Sequence, residues 1–237
     1  MRLAHYLAQC GVGSRRQCQR LITEGRVSFQ GRVANHTDRL TLSCPQELMV
    51  DNQPIPGFEP KTSWLFHKPV GIDCRLQAHD PSSLLHRLPD SPRLYPVGRL
   101  DKDSRGLLLL TNHGDLTQRL MHPDFGHTKT YHVTVDRPFD QTFTQMMSAG
   151  VSYGEVTTLP CECRALDPNR FEIILNQGLN RQIRRMCKAL GYRVIDLKRI
   201  EIMGQSLMDA QGIELEEGKM RPLTDSELTA LILAVGL

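Results

Sequence analysis

The stretch Pro96-Val97-Gly98-Arg99-Leu100-Asp101-Lys102-Asp103-Ser104-Arg105-Gly106-Leu107-Leu108-Leu109-Leu110-Thr111-Asn112 combines two acids, a polar loop bracketed by glycines and an aliphatic run that must be buried. An acid on a loop anchored by a core strand is well placed for chemistry. Arg99, Lys102 and Arg105 flank Asp101 and favour its carboxylate form by attraction, which suits a nucleophile or base better than a proton donor. A solvated surface aspartate fits the same pattern, so the loop alone leaves both readings open.

Two further segments carry polar groups in an ordered pattern. Lys129 to Asp136 alternates with period two, so Lys129, Tyr131, Val133 and Val135 share a strand face, where Tyr131 serves either as core or as a ring on which a base stacks. Arg181 to Leu190 places Ile183, Met186 and Leu190 on one side of a helix and Arg181, Arg184, Arg185 and Lys188 on the other, with Asn180 expected as its cap and Gly191 as its stop. Four like charges at those spacings repel, so an acidic partner is expected, either RNA phosphate or the Asp101 carboxylate. Metal chemistry finds no such pattern. Cys161-x-Cys163 lacks a second pair at zinc spacing and reads with Cys187 as core, while His122, His127 and His132 read as exposed loop histidines. No metal is assigned.

The elements that must position these groups fall into two parts. Leu3, Tyr6, Leu7 and Cys10 recur at helical spacing up to Gly11, and Ser14 caps a second helix running to about Thr23 and ended by Gly25. Arg26 to Val33 alternates around Gln30-Gly31 as a hairpin. This helix, helix, hairpin unit occupies residues 1–50. Prolines 45, 54, 56 and 60 with Gly57 predict a linker over 51–60, with the boundary near residue 58. From 61 to 237, strand-like runs (63–67, 107–111, 131–135, 171–175, 193–197) alternate with helical runs (115–121, 139–149, 181–190), an α+β pattern.

The chain has 237 residues and a net charge of only +3, unevenly spread. Residues 1–39 hold seven arginines against Glu24 and Asp38, a balance of +5, so the remainder carries −2. Arg15 lies at the start of the second helix and Arg16 and Arg20 share a face of it, where phosphate is favoured, although a solvated face fits equally well. With the cluster from Arg181 to Arg199, this suggests a polyanionic partner. The longest aliphatic stretch, Leu107 to Leu110, is far from the ~20 residues that span a bilayer. Seven scattered cysteines and a start without a secretory signal predict a reducing cytoplasm.

His67-Lys68-Pro69-Val70-Gly71, Gly98-Arg99-Leu100-Asp101-x-x-Ser104-x-Gly106-Leu107-Leu108, Lys129-x-Tyr131 and Asn180-Arg181-Gln182-Ile183-Arg184-Arg185-Met186 stand in the order and spacing of the ribosomal RNA pseudouridine synthases, which the chain resembles over essentially its whole length. Its first 50 residues resemble the small RNA-binding domain named after ribosomal small-subunit protein four. Asp101-Lys102-Asp103-Ser104 and Thr111 to Leu116 are most similar to the F-type branch, which acts on large-subunit ribosomal RNA.

The resemblance implies a mixed, mainly antiparallel sheet and an enzyme that turns uridine into pseudouridine without cofactor or metal. The uracil would be detached at nitrogen 1, turned, and rejoined through carbon 5, after the nucleotide flips out of any stack. By the same resemblance Asp101 is the essential carboxylate, as nucleophile or base, Tyr131 packs on the base, and Arg184 pairs with Asp101. RNA contacts are expected from Arg15, Arg16, Arg20, Arg99, Lys129, Arg181, Arg185 and Lys188. The implied partners are ribosomal RNA and large-subunit assembly particles, with the chain a monomer away from membranes. The alternative is a catalytically silent RNA-binding assembly factor of the same fold.

Overall fold

A computed structural model describes residues 1–39, 48–122 and 127–237, which form two compact units, one of residues 1–62 with 88–94 and one of 63–87 with 95–237. Pro45 lies outside the described residues. In the first unit, α1 (Leu3–Gln9) buries Leu3, Tyr6 and Leu7, and α2 (Arg15–Thr23) buries Cys18 and Ile22. Ser14 starts α2 with a reciprocal cap: its Oγ accepts from Gln17 N at 3.2 Å, and Gln17 Oε1 accepts from Ser14 N at 2.8 Å. The turn Gln30-Gly31, with φ of 54° and 75°, joins β1 (Val27–Phe29) to β2 (Arg32–Val33), as the right-handed twist of a two-residue hairpin requires. β3 (Leu48–Val50) and β4 (Gln53–Pro54) complete a sheet of order β2-β1-β3-β4.

The stretch expected as a linker, 51–60, is packed into this unit. Asp51-Asn52 turns β3 into β4, and Asp51 takes a two-pronged hydrogen bond from Arg26 (2.7 and 2.6 Å). Phe58 meets Tyr6 edge to face at 4.7 Å, and Glu59 accepts from Arg93 N at 3.0 Å. Pro54 lies on the edge strand β4, where a missing N–H costs no ladder bond.

The second unit is built on β5 (Ser63–Lys68), β6 (Tyr95–Pro96), β7 (Arg105–Thr111), α3 (Gly114–Met121), β8 (Lys129–Val135), α4 (Gln141–Ala149), β9 (Ser152–Tyr153), β10 (Val156–Thr157), β11 (Glu162–Asp167), β12 (Arg170–Leu175), α5 (Gln182–Ala189), β13 (Val194–Ile202), β14 (Gln205–Ser206), β15 (Met220–Pro222) and α6 (Asp225–Ala234). Its main sheet has the order β11-β12-β8-β13-β7-β5-β15, with β14 on β13 and β6 on β7. Among the described pairings β13 with β7 is parallel and the rest are antiparallel, the mixed, mainly antiparallel sheet of an α+β domain. Leu65, Leu107 and Leu109 pack with Leu116, Leu120 and Leu231 on one face. Phe143 of α4 packs edge-on against Phe171 of β12 (5.3 Å), which alternation places on the other face.

Several expectations shift. The helix expected from Phe139 begins at Gln141, because Asp140 caps it by accepting from Phe143 N at 3.1 Å. Asn180 does not cap α5: Arg181 occupies that position with a left-handed φ of 51°, and Asn180 Oδ1 accepts from Arg185 instead. His127 and His132 are not exposed loop residues. His127 is buried against Arg119 O (2.7 Å), and His132 sits on β8 between Glu172 and Arg170, where long neighbours cover it. Cys187 is buried as expected, whereas Cys161 and Cys163 are only partly so.

The C-terminal helix α6 is tied back by Arg221, whose guanidinium grips Glu227 with two bonds of 2.8 and 2.6 Å. That grip, helped by Thr224, holds the Glu227 carboxyl at about 2 rather than its ordinary 4.5. A depressed carboxyl contributes stability that is complete above 4.5 and is lost as the pH falls toward about 2. Glu227→Gln is therefore expected to unfold at lower urea than the parent at neutral pH, with the gap closing across that acid window. A gap that stayed constant with pH would contradict the pairing.

Candidate active site

The Asp101 loop is fixed from below. Lys68, wholly buried at the end of β5, donates to Ser104 O (2.6 Å) and Pro69 O (2.9 Å), and Gly71 N donates to Lys102 O (2.7 Å). Leu100 N reaches the buried Cys74 Sγ at 3.4 Å, and Ser104 N closes a turn onto Asp101 O at 3.0 Å. Burial lowers the pKa of Lys68, an effect opposed by the charges of Asp103 and Asp101. With Leu100 and Ser104 both buried, the loop has little freedom, yet the Asp101 side chain keeps 30% of its surface exposed. Lys68 stands in a motif that the sequence picks out, but spacing does not show that it turns under a loop more than thirty residues away.

The cations expected around Asp101 are redistributed. Arg105 forks onto Asp196 (2.8 Å twice) and lies 3.6 Å from Glu217, Lys102 donates to Ser82, and Arg99 is exposed. The expected pairing of Arg184 with Asp101 is not formed. Arg184 donates to Asp103 O (2.7 Å) and Ser104 Oγ (3.2 Å), and its Nε lies 3.4 Å from Asp103 Oδ2 without hydrogen-bond alignment. Arg181 forks onto Asp103 (2.9 and 2.7 Å) and approaches Asp101 to 3.6 Å. The reason is reach: Arg184 is tucked against Val194 O (3.4 Å) under the far end of the loop, while Arg181, at the left-handed start of α5, stands in front of it. Arg181 first, and then Arg184, hold the Asp103 carboxyl below its ordinary range.

The sheet beneath supplies a row of side chains. Lys68, Gly106, Arg199, Tyr131 and Ile173 are successive cross-strand partners on β5, β7, β13, β8 and β12, so they share one face. Gly106 has φ +109°, and a Cβ there would stand 2.2 Å from Arg199 O, so no other residue lets β7 and β13 approach so closely. Tyr131 is buried beside Arg199. Arg199, buried beside Tyr131 on this face, is grouped by the sequence only with the basic cluster. Its signal was a charge two residues after Leu197, in step with the apolar side of a strand.

Of the residues expected to touch RNA, Arg15, Arg16 and Arg20 are exposed on α2, and Arg99, Arg181, Arg185 and Lys188 are exposed in the second unit. Arg185 extends over the Tyr153 ring at 5.9 Å. Lys129 differs: it is half-buried, donates to His127 O at 3.1 Å, and has its pKa lowered by burial and then by Arg199. It belongs to the floor of the site, because its face of β8 is the one that carries Tyr131.

Residues 62–189 match the model of the family described as RNA pseudouridylate synthase, and residues 1–40 match that of the S4 domain. Over 234 residues the chain is 41% identical to the dual-specificity RNA pseudouridine synthase RluF of Escherichia coli (strain K12), a match covering 98% of this chain and 78% of that protein. It is 32% identical over 240 residues to ribosomal large subunit pseudouridine synthase B of Bacillus subtilis (strain 168), covering 97% and 95%. A crystal structure of a pseudouridylate synthase is similar with a TM-score of 0.68 and 26% identity, covering 98% of this chain and 99% of that one. With four motifs in register, a mixed sheet that carries them and matches along nearly its whole length, the chain belongs to the RNA pseudouridylate synthase family and bears an S4 domain at its N-terminus.

Proposed function

We propose that this pseudouridine synthase modifies large-subunit ribosomal RNA, and that Asp101 is the carboxylate on which the reaction turns. The observation that carries the assignment is the division of the loop acids. Asp103 is gripped by Arg181 at hydrogen-bond distance and lies against Arg184, whereas Asp101 is approached by Arg181 only to 3.6 Å. A flipped uridine stacked on Tyr131 would bring its sugar to the Asp101 carboxylate. The change is an isomerisation within one nucleotide, so positioned acid and base groups in a pocket suffice for it. Tyr131 would pack on the base and take the final proton from carbon 5. Arg184 would act on Asp101 at one remove, by holding the backbone of Asp103 and the hydroxyl of Ser104 and so fixing the turn that presents Asp101.

The large-subunit target is supported by the F-type pattern at Asp101 to Ser104 and by the match to ribosomal large subunit pseudouridine synthase B of Bacillus subtilis. No helix among the described residues is long and apolar enough to cross a membrane. We place the enzyme in the cytoplasm as a monomer acting on large-subunit assembly particles, in keeping with a ribosomal RNA substrate. Arg15, Arg16 and Arg20 of α2 would hold RNA through phosphates, and Arg99, Arg181, Arg185 and Lys188 would line its path over the second unit.

Asp101→Asn removes the carboxylate and keeps its shape. Single-turnover tritium release from carbon-5-labelled uridine in a large-subunit RNA transcript is expected to fall by at least roughly 10³-fold, with RNA affinity little changed. Asp103→Asn loosens two arginines, yet its amide still accepts a hydrogen bond, so a loss of about tenfold is expected. Full activity of Asp101→Asn, or equal losses in the two variants, would remove Asp101 from its assigned role, and absence of tritium release from the wild type would put the silent assembly factor in first place.

Replacing Arg15, Arg16 and Arg20 together by Gln in the full chain is expected to flatten the salt dependence of RNA binding by about two to three units of log-log slope. An unchanged slope would remove α2 from the RNA contact.

A further inference from the structure

Lys68, Arg199 and Lys129 are cations on the sheet face that carries Tyr131, and each donates to main-chain carbonyls. Lys68 donates to Pro69 O and Ser104 O, Arg199 Nε to Leu107 O at 2.8 Å, and Lys129 to His127 O. Among the described residues no carboxylate hydrogen-bonds to any of the three. Arg199 is 3% exposed, and among the described residues its buried Nη2 has no hydrogen-bond partner. A charged donor left unmade in a low-dielectric interior is costly, and such a cost persists at sites that a ligand completes. Arg199 is also the direct cross-strand neighbour of Tyr131, about one strand spacing of 4.8 Å away.

We propose that Arg199, with Lys129 beside it, receives a carbonyl oxygen of the target uracil and holds the negative charge that the base carries while detached from its sugar. The inference rests on the reading of Asp101 and Tyr131 given above. A pyrimidine stacked on Tyr131 spans about one strand spacing, enough for its oxygen-bearing edge to reach Arg199 on the neighbouring strand. When the C1′–N1 bond breaks, its electron pair stays on the uracil and spreads to O2 and O4. The sugar is satisfied either by a bond from an Asp101 oxygen to C1′ or by loss of a C2′ proton to Asp101. After the ring turns, a pair from the uracil anion forms the C5–C1′ bond as the Asp101–C1′ bond breaks with its pair returning to the carboxylate, or as the proton held by Asp101 returns to C2′. The C5 proton then leaves by way of Tyr131 to solvent and N1 takes up a proton, which restores the ring. A guanidinium keeps its proton throughout. It therefore stabilises the anion without quenching it, and carbon 5 stays nucleophilic.

The test uses the full-length protein and a large-subunit RNA transcript with tritium at uridine carbon 5. Wild-type turnover is the reference, and its absence would overturn the functional reading itself. With an active wild type, Arg199→Met, which keeps the aliphatic stem, is expected to lower the single-turnover rate by roughly 100-fold while RNA affinity stays within about threefold. Arg199→Lys is expected to recover part of that loss. A rate within about threefold of wild type for Arg199→Met, or a loss that merely follows weakened RNA binding, would overturn the proposal.

A second measurement needs no variant and decides the matter if Arg199→Met fails to fold. Transcripts with 2-thiouridine or 4-thiouridine in place of uridine present sulfur, a poorer acceptor, on a ring that is a better leaving group. Slowing of about tenfold by one of the two, at unchanged affinity, supports the contact, and no slowing by either overturns it.

Discussion

The close approach of β7 to β13 at Gly106 is the constraint on which the site depends. A side chain there would collide with the Arg199 carbonyl, so the parallel pairing exists because position 106 has none. That pairing sets Arg199 between Gly106 and Tyr131, brings Lys68 to the other side of Gly106, and fixes where the chain entering β7 must turn. The Asp101 loop is that turn. Its position follows from the sheet register, and the ammonium of Lys68 locks it by holding Ser104 O from inside the protein.

Charge then separates two aspartates that are alike in sequence. Asp103 faces α5 and absorbs the fork of Arg181, while Arg184 braces the backbone on which Asp103 sits. Asp101, two residues earlier, accepts from Ser104 N at its carbonyl, and its carboxylate is approached by Arg181 only to 3.6 Å. An acid held at hydrogen-bond distance by a guanidinium is a poor nucleophile and a poor base, so with Arg181 forked onto Asp103 the proposed role falls to Asp101. Buried Lys68 and Arg199, with half-buried Lys129, favour negative charge in the space above them, an effect strengthened by the low dielectric of the interior.

Much of this was legible in the sequence where a local rule decided the outcome. Ser14 and Gly25 bound α2 through a cap and a left-handed stop, and the apolar alternation of β8 and the amphipathic pattern of α5 place Tyr131 and the arginines on the correct elements. What escaped was set by tertiary contact. Helix α6 is apolar nearly all round, at Leu228, Leu231, Ile232 and Leu233, so it shows no polar stripe by which to read it. The partner of Arg184 is decided by side-chain reach across about eighty residues of sequence, which no spacing encodes. The prolines of 51–60 read as a linker because their punctuation is local, whereas the packing of Phe58 on Tyr6 is not.

The central claim, that Asp101 carries out isomerisation of uridine in ribosomal RNA, is tested most directly by mapping pseudouridines in large-subunit RNA from cells that lack the protein and from the same cells given back either the wild type or Asp101→Asn. The account predicts that at least one pseudouridine disappears, returns with the wild type and stays absent with Asp101→Asn. A map unchanged by loss of the protein, or restored by the Asn variant, would contradict it.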